Sequence, residues 1–244
     1  MATFKHSGDL GDIVYALPAI HALGGGVLYL DTSGGADEPI CRAQLVDGRT
    51  KFGQAGFDFI APLLRAQRGI EAVEVWRGEA VDCNLNRFRD KVSEPNARGK
   101  VKNLLDLHLD AFGLPPHDPN EAWLECGEPI RLAKKIVVCR SPRYQTNYPW
   151  FVVRKFTLRD RAVFVGLPKE HEIFEYTFDI AIEYVPTPDA LQMARVIAGG
   201  ETFIANATFG LALAIGLGHA SIVHELEPRF PTTRFEGRRN ITYV

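Results

Sequence analysis

Short apolar segments, predicted to be strands, alternate along the chain with segments whose apolar residues recur at helical spacing. The predicted strands are 2–6, 27–31, 72–76, 81–85, 136–139, 162–166, 182–185, 202–206, 221–225 and 241–244. The predicted helices are 12–23, 52–67, 101–112, 168–178, 188–198 and 209–217. Such alternation is typical of parallel sheets covered by helices on both faces. The sequence therefore predicts an α/β fold.

The alternation occurs in two runs, separated by residues 113–120, GLPPHDPN, which are rich in turn-forming residues. A chain of 244 residues can form one large domain or two small ones. We predict two Rossmann-like domains, residues 1–118 and 119–244, that face a central cleft in a compact arrangement. The segment 140–159 is basic and aromatic, and we expect it to form a loop that faces the cleft.

Composition excludes several classes of protein. The 28 Lys and Arg residues nearly balance the 30 Asp and Glu residues, which gives a net charge of −2. A dedicated nucleic-acid binder usually has a strong basic excess. The four cysteines form no CxxC pair, so we expect reduced thiols and no metal site. The absence of a secretory signal or an 18-residue apolar run predicts a cytoplasmic protein without a membrane span.

The first chemistry-bearing segment is residues 6–18, HSGDLGDIVYALP. Gly8 and Gly11 allow a sharp turn after the first strand, and the helix that follows presents free N–H groups that attract anions. Asp9 and Asp12 would lie beyond the carboxyl end of the strand, where open α/β sheets bind ligands. On spacing alone, both aspartates are equally explained as caps of the helix.

The second segment is residues 202–218, in which a strand leads through a small-residue turn into a helix. Asn206, Ala207 and Thr208 would lie at the helix N-terminus, where N–H groups and a hydroxyl suit a phosphate. The alternative is an ordinary turn in which Asn206 or Thr208 caps the helix.

Further candidates follow other strands of the second half. Arg140 and Arg143 could hold phosphate oxygens in a bidentate manner, or they are solvated surface arginines. Glu225 follows a strand directly and could accept hydrogen bonds from ribose hydroxyls, with a surface or capping role as the alternative. Gly166 could border a donor molecule, although a structural turn explains it as well.

Residues 5–20, with the core LGDIV at 10–14 and Leu17-Pro18, resemble the N-terminal signature of glycosyltransferase family 9. That family comprises the ADP-heptose:lipopolysaccharide heptosyltransferases and has the GT-B fold. The resemblance implies that Asp12 is the catalytic base or an acceptor contact, and that Ser7, Gly8, Asp9 and Gly11 form an acceptor or phosphate turn.

Residues 202–218 are similar to the family's C-terminal element, which holds the diphosphate of the donor. Here Asn206 replaces the usual Asp, and Phe209 stands where Gly is frequent. In the family, the loop after the first strand of the second half brings basic and hydroxyl groups to the donor phosphates. The matching residues are Arg140, Ser141 and Arg143, whereas the family's Lys before Trp150 is absent.

The residues and the resemblance together predict a glycosyltransferase with an acceptor domain at 1–118 and a donor domain at 119–244. It would move a sugar from a nucleotide-sugar to an acceptor hydroxyl with inversion, without metal or other cofactor. The acceptor would be a glycan or a small molecule, and the sugar is left open. One alternative acceptor is a hydroxymethylated DNA base, with residues 140–159 on the phosphates. Another alternative is a nucleotide-sugar binding protein without turnover. Assembly as a homo-oligomer is also left open.

Overall fold

The structure, a computed structural model, describes residues 1–33, 53–91, 101–146 and 150–244. These residues form two β-sheets, one in each half of the chain, and every strand pair is parallel. Helices connect most of the strands, so the predicted α/β fold is confirmed.

The N-terminal sheet has four strands. Its elements in chain order are β1 (Ala2–His6), α1 (Leu10–Ala22), β2 (Gly26–Leu30), α2 (Gln54–Arg65), β3 (Ile70–Val75), β4 (Cys83–Asn84), a 3-10 helix (Leu85–Lys91) and α3 (Leu104–Asp110). The strand order is β3-β2-β1-β4, which places β1 in the interior of the sheet. The turn that follows β1 is therefore flanked by the chain segments that follow β2 and β4.

The C-terminal sheet has six strands. Its elements are β5 (Ile136–Cys139), α4 (Trp150–Val153), α5 (Lys155–Arg161), β6 (Ala162–Phe164), α6 (Pro168–Phe178), β7 (Glu183–Tyr184), α7 (Ala190–Gly199), β8 (Thr202–Ala205), α8 (Phe209–Gly216), β9 (Ile222–His224) and β10 (Ile241–Tyr243). The strand order is β10-β9-β8-β5-β6-β7. The carboxyl ends of β5, β6, β8 and β9 share one edge.

The prediction of one loop over 140–159 is wrong for its second part. Residues 140–146 are a loop, residues 147–149 lie outside the described ranges, and the chain then forms α4 and α5. Phe151 and Leu158 are buried against the sheet, so this part of the segment packs as helix and does not face the cleft. Apolar residues at helical spacing were obscured there by the surrounding arginines.

One hydrophobic cluster extends through both halves. It joins buried residues of α1 and α2 to buried residues of α7, α8 and β8. Helix α1 packs on α8, where Gly11 faces Ala212, and the ring of Phe59 contacts that of Phe209 edge-on at 5.9 Å between centroids. The two halves therefore share one core.

The stretch between the two sheets, residues 114–135, contains no helix or strand, and the turn-rich composition of 113–120 predicts this for its first part. Trp123 ties it to the first half, because its Nε1 donates to the carbonyl oxygen of Val14 at 3.2 Å. The C-terminal residues return to the same helix, with the ring of Phe235 5.6 Å from that of Tyr15. The boundary at residue 118 stays a prediction.

Candidate active site

The turn after β1 presents Asp12 at the carboxyl edge of the first sheet. Asp9 is the N-cap of α1, and its N–H donates to Oδ2 of Asp12 at 3.2 Å. The capping interpretation is therefore correct. It does not exclude a chemical role, because Asp12 is only partly buried.

The carboxyl group of Asp12 is electrostatically unusual. Burial raises its pKa to about 6, while the positive charges of Arg89 and Arg143 act to lower it. A carboxylate with a raised pKa accepts a proton more readily than an ordinary aspartate near neutral pH. The site thus has the property that a general base requires.

Gly8 and Gly11 differ in the space that a side chain would have at each position. A Cβ on Gly8 would lie 2.5 Å from Cε1 of His6 and 2.8 Å from Oδ2 of Asp12, so only glycine fits there. A Cβ on Gly11 would lie 3.7 Å from Cβ of Ala212, which is ordinary contact. Gly8 is therefore required by the close approach of its neighbours, whereas Gly11 is not.

The 3-10 helix supplies groups to this turn that the sequence analysis missed. Oδ1 of Asn86 accepts hydrogen bonds from the N–H and Oγ of Ser7, both at 3.0 Å, and from Nη1 of Arg89 at 2.8 Å. The exposed Arg89 lies over the ring of Phe88. The signal that could have revealed them is their position just after the short strand predicted at 81–85, on the same edge as β1.

Arg140, the first arginine of the loop after β5, forms a buried ion pair with Glu225. Nε of Arg140 donates to Glu225 at 2.6 Å and Nη2 donates at 3.0 Å, and both side chains are only 3% exposed. The N–H and Oγ1 of Thr146 donate to the same carboxylate, at 2.6 and 3.1 Å. Arg140 and Glu225 therefore hold the loop to β9, and their donor-binding roles stay predictions.

Asn206 holds the same loop from β8. Its Nδ2 donates to the carbonyl oxygens of Ser141 and Arg143 at 2.8 and 2.6 Å, while its Oδ1 accepts from the N–H of Ser141 at 3.1 Å. The backbone partners fix the orientation of the amide, since a carbonyl only accepts. A carboxylate could not make these donations, so the amide of Asn206 is required to hold the loop in this way.

Arg143 bridges the two halves. Its Nη1 lies 3.3 Å from Oδ2 of Asp9, and its guanidinium covers the ring of Tyr144. Tyr144 has a φ of 53°, a left-handed conformation that costs energy in a non-glycine residue and often marks functional loops. Of the two predicted arginines, Arg143 is the one that reaches the cleft.

The remaining predicted residues lie along the same edge. Thr208 caps α8, because its Oγ1 accepts from the N–H of Leu211 at 3.2 Å, and Ala207 is partly exposed beside it. The carbonyl oxygen of Gly166 accepts from the Tyr184 hydroxyl at 2.9 Å. All of these residues follow carboxyl ends of strands, as predicted.

Glu170, in the first turn of α6, is a second carboxylate at this edge that the sequence analysis did not select. Its Oε2 accepts from the N–H of Leu167 at 3.2 Å. Burial raises its pKa to about 7, against that hydrogen bond. Burial, followed by the negative charge of Glu170, raises the pKa of Cys139 to about 12. Glu170 has no arginine partner in the described structure, unlike Glu225.

A cavity of about 520 Å³ lies at the opposite, amino edge of the second sheet, between Cys126, Gly200 and His219. None of the predicted site residues lines it. We therefore place the candidate site at the carboxyl edges.

Comparison with known proteins gives fold-level relatives. No family model and no curated protein matches the sequence. A solved family 9 glycosyl transferase from Veillonella parvula matches with a TM-score of 0.62 and 11% identity over 99% of this chain and 84% of that chain. The E. coli heptosyltransferase WaaC with ADP matches with a TM-score of 0.59 and 12% identity, covering 99% and 92%.

A further solved relative is the iron-containing dodecameric glycosyltransferase TibC from enterotoxigenic E. coli, with a TM-score of 0.55, 12% identity and coverage of 99% and 61%. These similarities establish a GT-B-like fold with two Rossmann-like units, as predicted. Among the described side chains, no group of three or more His, Cys, Asp or Glu residues is arranged to hold a metal ion. The helices of the described ranges include none long and apolar enough to cross a membrane.

Proposed function

We propose that this protein is a glycosyltransferase that moves a sugar from a nucleotide-sugar to an acceptor hydroxyl. One observation carries the proposal. Asp12, a carboxylate with a raised pKa, lies in the turn whose Asp9 pairs with Arg143, a cation from the other half, and the charge of Arg143 acts on the pKa of Asp12. Base and leaving-group partner are the two elements that displacement at an anomeric carbon requires.

In the proposed reaction, Asp12 accepts the proton of the acceptor hydroxyl while the oxygen of that hydroxyl attacks the anomeric carbon. The bond from that carbon to the diphosphate oxygen breaks, and its electron pair leaves with the nucleoside diphosphate. Because base and cation come from opposite halves, attack from the face opposite the leaving group, and hence inversion, is the outcome we propose.

Arg143 and the N-terminus of α8 at Thr208 are the groups we assign to the leaving diphosphate. A helix N-terminus and a guanidinium both favour phosphate oxygens. Arg140 contributes indirectly, because its pair with Glu225 fixes the loop that carries Arg143. These groups supply positive potential, in support of a reaction without metal or other cofactor.

For the donor nucleoside we propose Glu170 in addition to the predicted Glu225. A carboxylate at the end of a Rossmann strand accepts hydrogen bonds from ribose hydroxyls. Glu225 already accepts four hydrogen bonds from Arg140 and Thr146, whereas Glu170 accepts a hydrogen bond from the backbone N–H of Leu167. Donor affinity should fall below about pH 7, where Glu170 becomes protonated.

The test begins with a thermal-shift panel of UDP-, ADP-, GDP- and CMP-sugars, since a ligand stabilises by RT ln(1 + [L]/Kd). Release of nucleoside diphosphate from the best donor is then measured with glycan and small-molecule acceptors. Asp12→Asn should abolish release while retaining the thermal shift. Glu201→Gln, a change at an exposed carboxylate of the amino edge, is the control and should retain both.

Three outcomes separate the candidates. A thermal shift with release that depends on Asp12 supports the transferase. A thermal shift without release of nucleoside diphosphate, whichever acceptor is supplied, favours the binding protein without turnover. The buried pairing of Arg140 with Glu225 also favours that alternative. No shift with any donor contradicts the donor site. DNA gains no support from the structure, because Arg140 is buried and α4 and α5 replace the expected basic loop.

A further inference from the structure

Two histidines that are completely buried lie beneath the turn that carries Asp12. His6 ends β1 and His108 belongs to α3, and their Nε2 atoms are 3.2 Å apart. The ring of Phe88 stacks on His108 at 4.1 Å between centroids, and the guanidinium of Arg89 lies over the ring of Phe88. No role proposed above uses these two histidines.

Backbone groups at both ends of the pair determine where the protons are. The N–H of Gly8 can only donate, so Nδ1 of His6, at 2.8 Å, must accept. The carbonyl oxygen of Leu104 can only accept, so Nδ1 of His108, at 2.7 Å, must donate. Each neutral ring has one N–H. His6 therefore donates through Nε2 to Nε2 of His108. In the resulting chain of hydrogen bonds, Gly8 donates to His6, His6 to His108, and His108 to Leu104.

The assignment requires both rings to be neutral. An extra proton on either ring would bring two N–H groups against each other at one of these contacts. Burial, followed by the charges of His108 and Arg89, holds the pKa of His6 well below its ordinary value, and burial lowers that of His108 to about 3. The pair therefore supports the turn without adding charge beside Asp12.

The pair acts on the reacting groups through Gly8. The position of the missing Cβ of Gly8 is bordered by Cε1 of His6 at 2.5 Å, Oδ2 of Asp12 at 2.8 Å and Nη2 of Arg89 at 3.0 Å. The imidazole edge of His6 is thus packed against the same glycine as the carboxylate. Movement of Gly8 would change how deeply Asp12 is buried and its distance from Arg89.

We infer that His6 and His108 are positioning residues, which fix Gly8 so that Asp12 is held at the geometry and burial that proton acceptance needs. This inference rests on the proposed function. It concerns a hydrogen-bond relay from α3 through β1 to the catalytic turn, and neither histidine touches a substrate.

The chain offers a matched control for His6. In the C-terminal half, Nδ1 of the buried His219 likewise accepts from an N–H two residues ahead, that of Ser221, at 3.2 Å. His219 lies at the amino edge of its sheet, away from the cleft. His6→Leu and His219→Leu therefore remove the same kind of hydrogen bond at two different places.

The experiment uses the full chain and two readouts. The first is the titration of the Asp12 carboxyl carbon by NMR, which needs no substrate. In the wild type, burial raises the pKa of Asp12 to about 6. In His6→Leu we expect this pKa to fall toward the ordinary value of ~3.9 as the turn opens to water. In His219→Leu it should not move.

The second readout is kcat for release of nucleoside diphosphate. Misplacement of a reacting group by about 1 Å lowers the rate by about 100-fold, which we expect for His6→Leu with the KM of the donor unchanged. His6→Asn should restore much of kcat, because Oδ1 of asparagine can accept from Gly8 in place of Nδ1. His219→Leu should retain kcat per folded molecule.

Wild-type titration of Asp12 and wild-type kcat in His6→Leu would overturn the inference, and so would equal losses in His6→Leu and His219→Leu. If His6→Leu does not fold, His108→Phe decides, because it keeps the stack on Phe88 and removes the acceptor of His6. If the wild type transfers no sugar, the proposed function fails, while the NMR titration still decides whether the relay positions Asp12.

Discussion

The turns after β1 and after β5 occupy equivalent places in the two sheets but use their charged residues differently. After β1, the uncharged side chains of His6 and Asn86 accept hydrogen bonds from the backbone of the turn. The carboxyl group of Asp12, in the same turn, has a raised pKa. After β5, the charged pair of Arg140 and Glu225 is itself the support.

The difference shows what each turn can contribute. A buried ion pair with its hydrogen bonds satisfied is a rigid anchor for the loop that it holds. In the first turn the supporting hydrogen bonds come from uncharged groups, and burial raises the pKa of Asp12 although Arg89 and Arg143 act to lower it. We therefore expect changes in the first turn to alter the reaction, and changes in the second turn to alter stability before they alter the reaction.

The largest effect on the reaction is expected for Asp12→Asn. General base catalysis contributes about 100- to 10,000-fold, so kcat should fall by that factor. The amide can still accept from Asp9, so the melting temperature should not fall. In the wild type, kcat/KM should rise with pH through about 6, since the base must be ionised. A pH-rate profile that is flat from pH 5 to 7 would contradict the assignment.

Arg140→Met should have the largest effect on stability. Removing one partner leaves Glu225 buried and uncompensated, which costs about 3–5 kcal/mol in the free energy of unfolding. The double variant Arg140→Met with Glu225→Met should recover most of that loss. Urea denaturation of the three proteins measures both numbers. A single variant as stable as the wild type would show that the pair is no anchor.

Asn206→Asp should lower the free energy of unfolding by about 3 kcal/mol, because a buried carboxylate would then face carbonyl oxygens to which the amide donates. The exposed Asn120→Asp is a suitable control and should be neutral. Should Asn206→Asp retain wild-type stability, the amide would not be holding the 140–146 loop.

Gly8→Ala and Gly11→Ala compare the two glycines of the first turn. The added methyl group at Gly8 overlaps His6 and Asp12, so we expect a loss of about 1–3 kcal/mol. At Gly11 the methyl group fits and helix propensity improves by up to ~1 kcal/mol, so stability should be equal or higher. Thermal unfolding of both variants gives the comparison, and similar losses would contradict it.

The smallest effect is expected for Asp9→Asn. It weakens the attraction between Asp9 and Arg143, a partly exposed pair worth about 0.2–1 kcal/mol. Arg143 is then more available to the donor, so donor affinity should rise by up to about fivefold. The gain should shrink as salt is added. Titration calorimetry at low and high salt measures it, and a loss of affinity would contradict the assigned role of Arg143.

Local patterns predicted much of the fold. The ranges of β1, β5 and α6 agree with the residues that apolar runs and turn signals predicted. These elements depend on their own side chains and on neighbours close in the chain. The failure at 150–159 arose because the exposed Arg154 and Arg159 follow the buried Phe151 and Leu158 closely in the chain and gave the segment a basic, loop-like composition.

The sequence by itself determined the α/β alternation, the two glycine-containing turns and the set of polar residues at the ends of the strands. Only the tertiary structure decided which of these polar residues pair with one another. Glu225 is 85 residues from Arg140, and His108 is 102 residues from His6. Such contacts depend on which strands are neighbours in a sheet. A charge that follows a strand can therefore serve a ligand or anchor a loop, and its partners across the fold decide between the two.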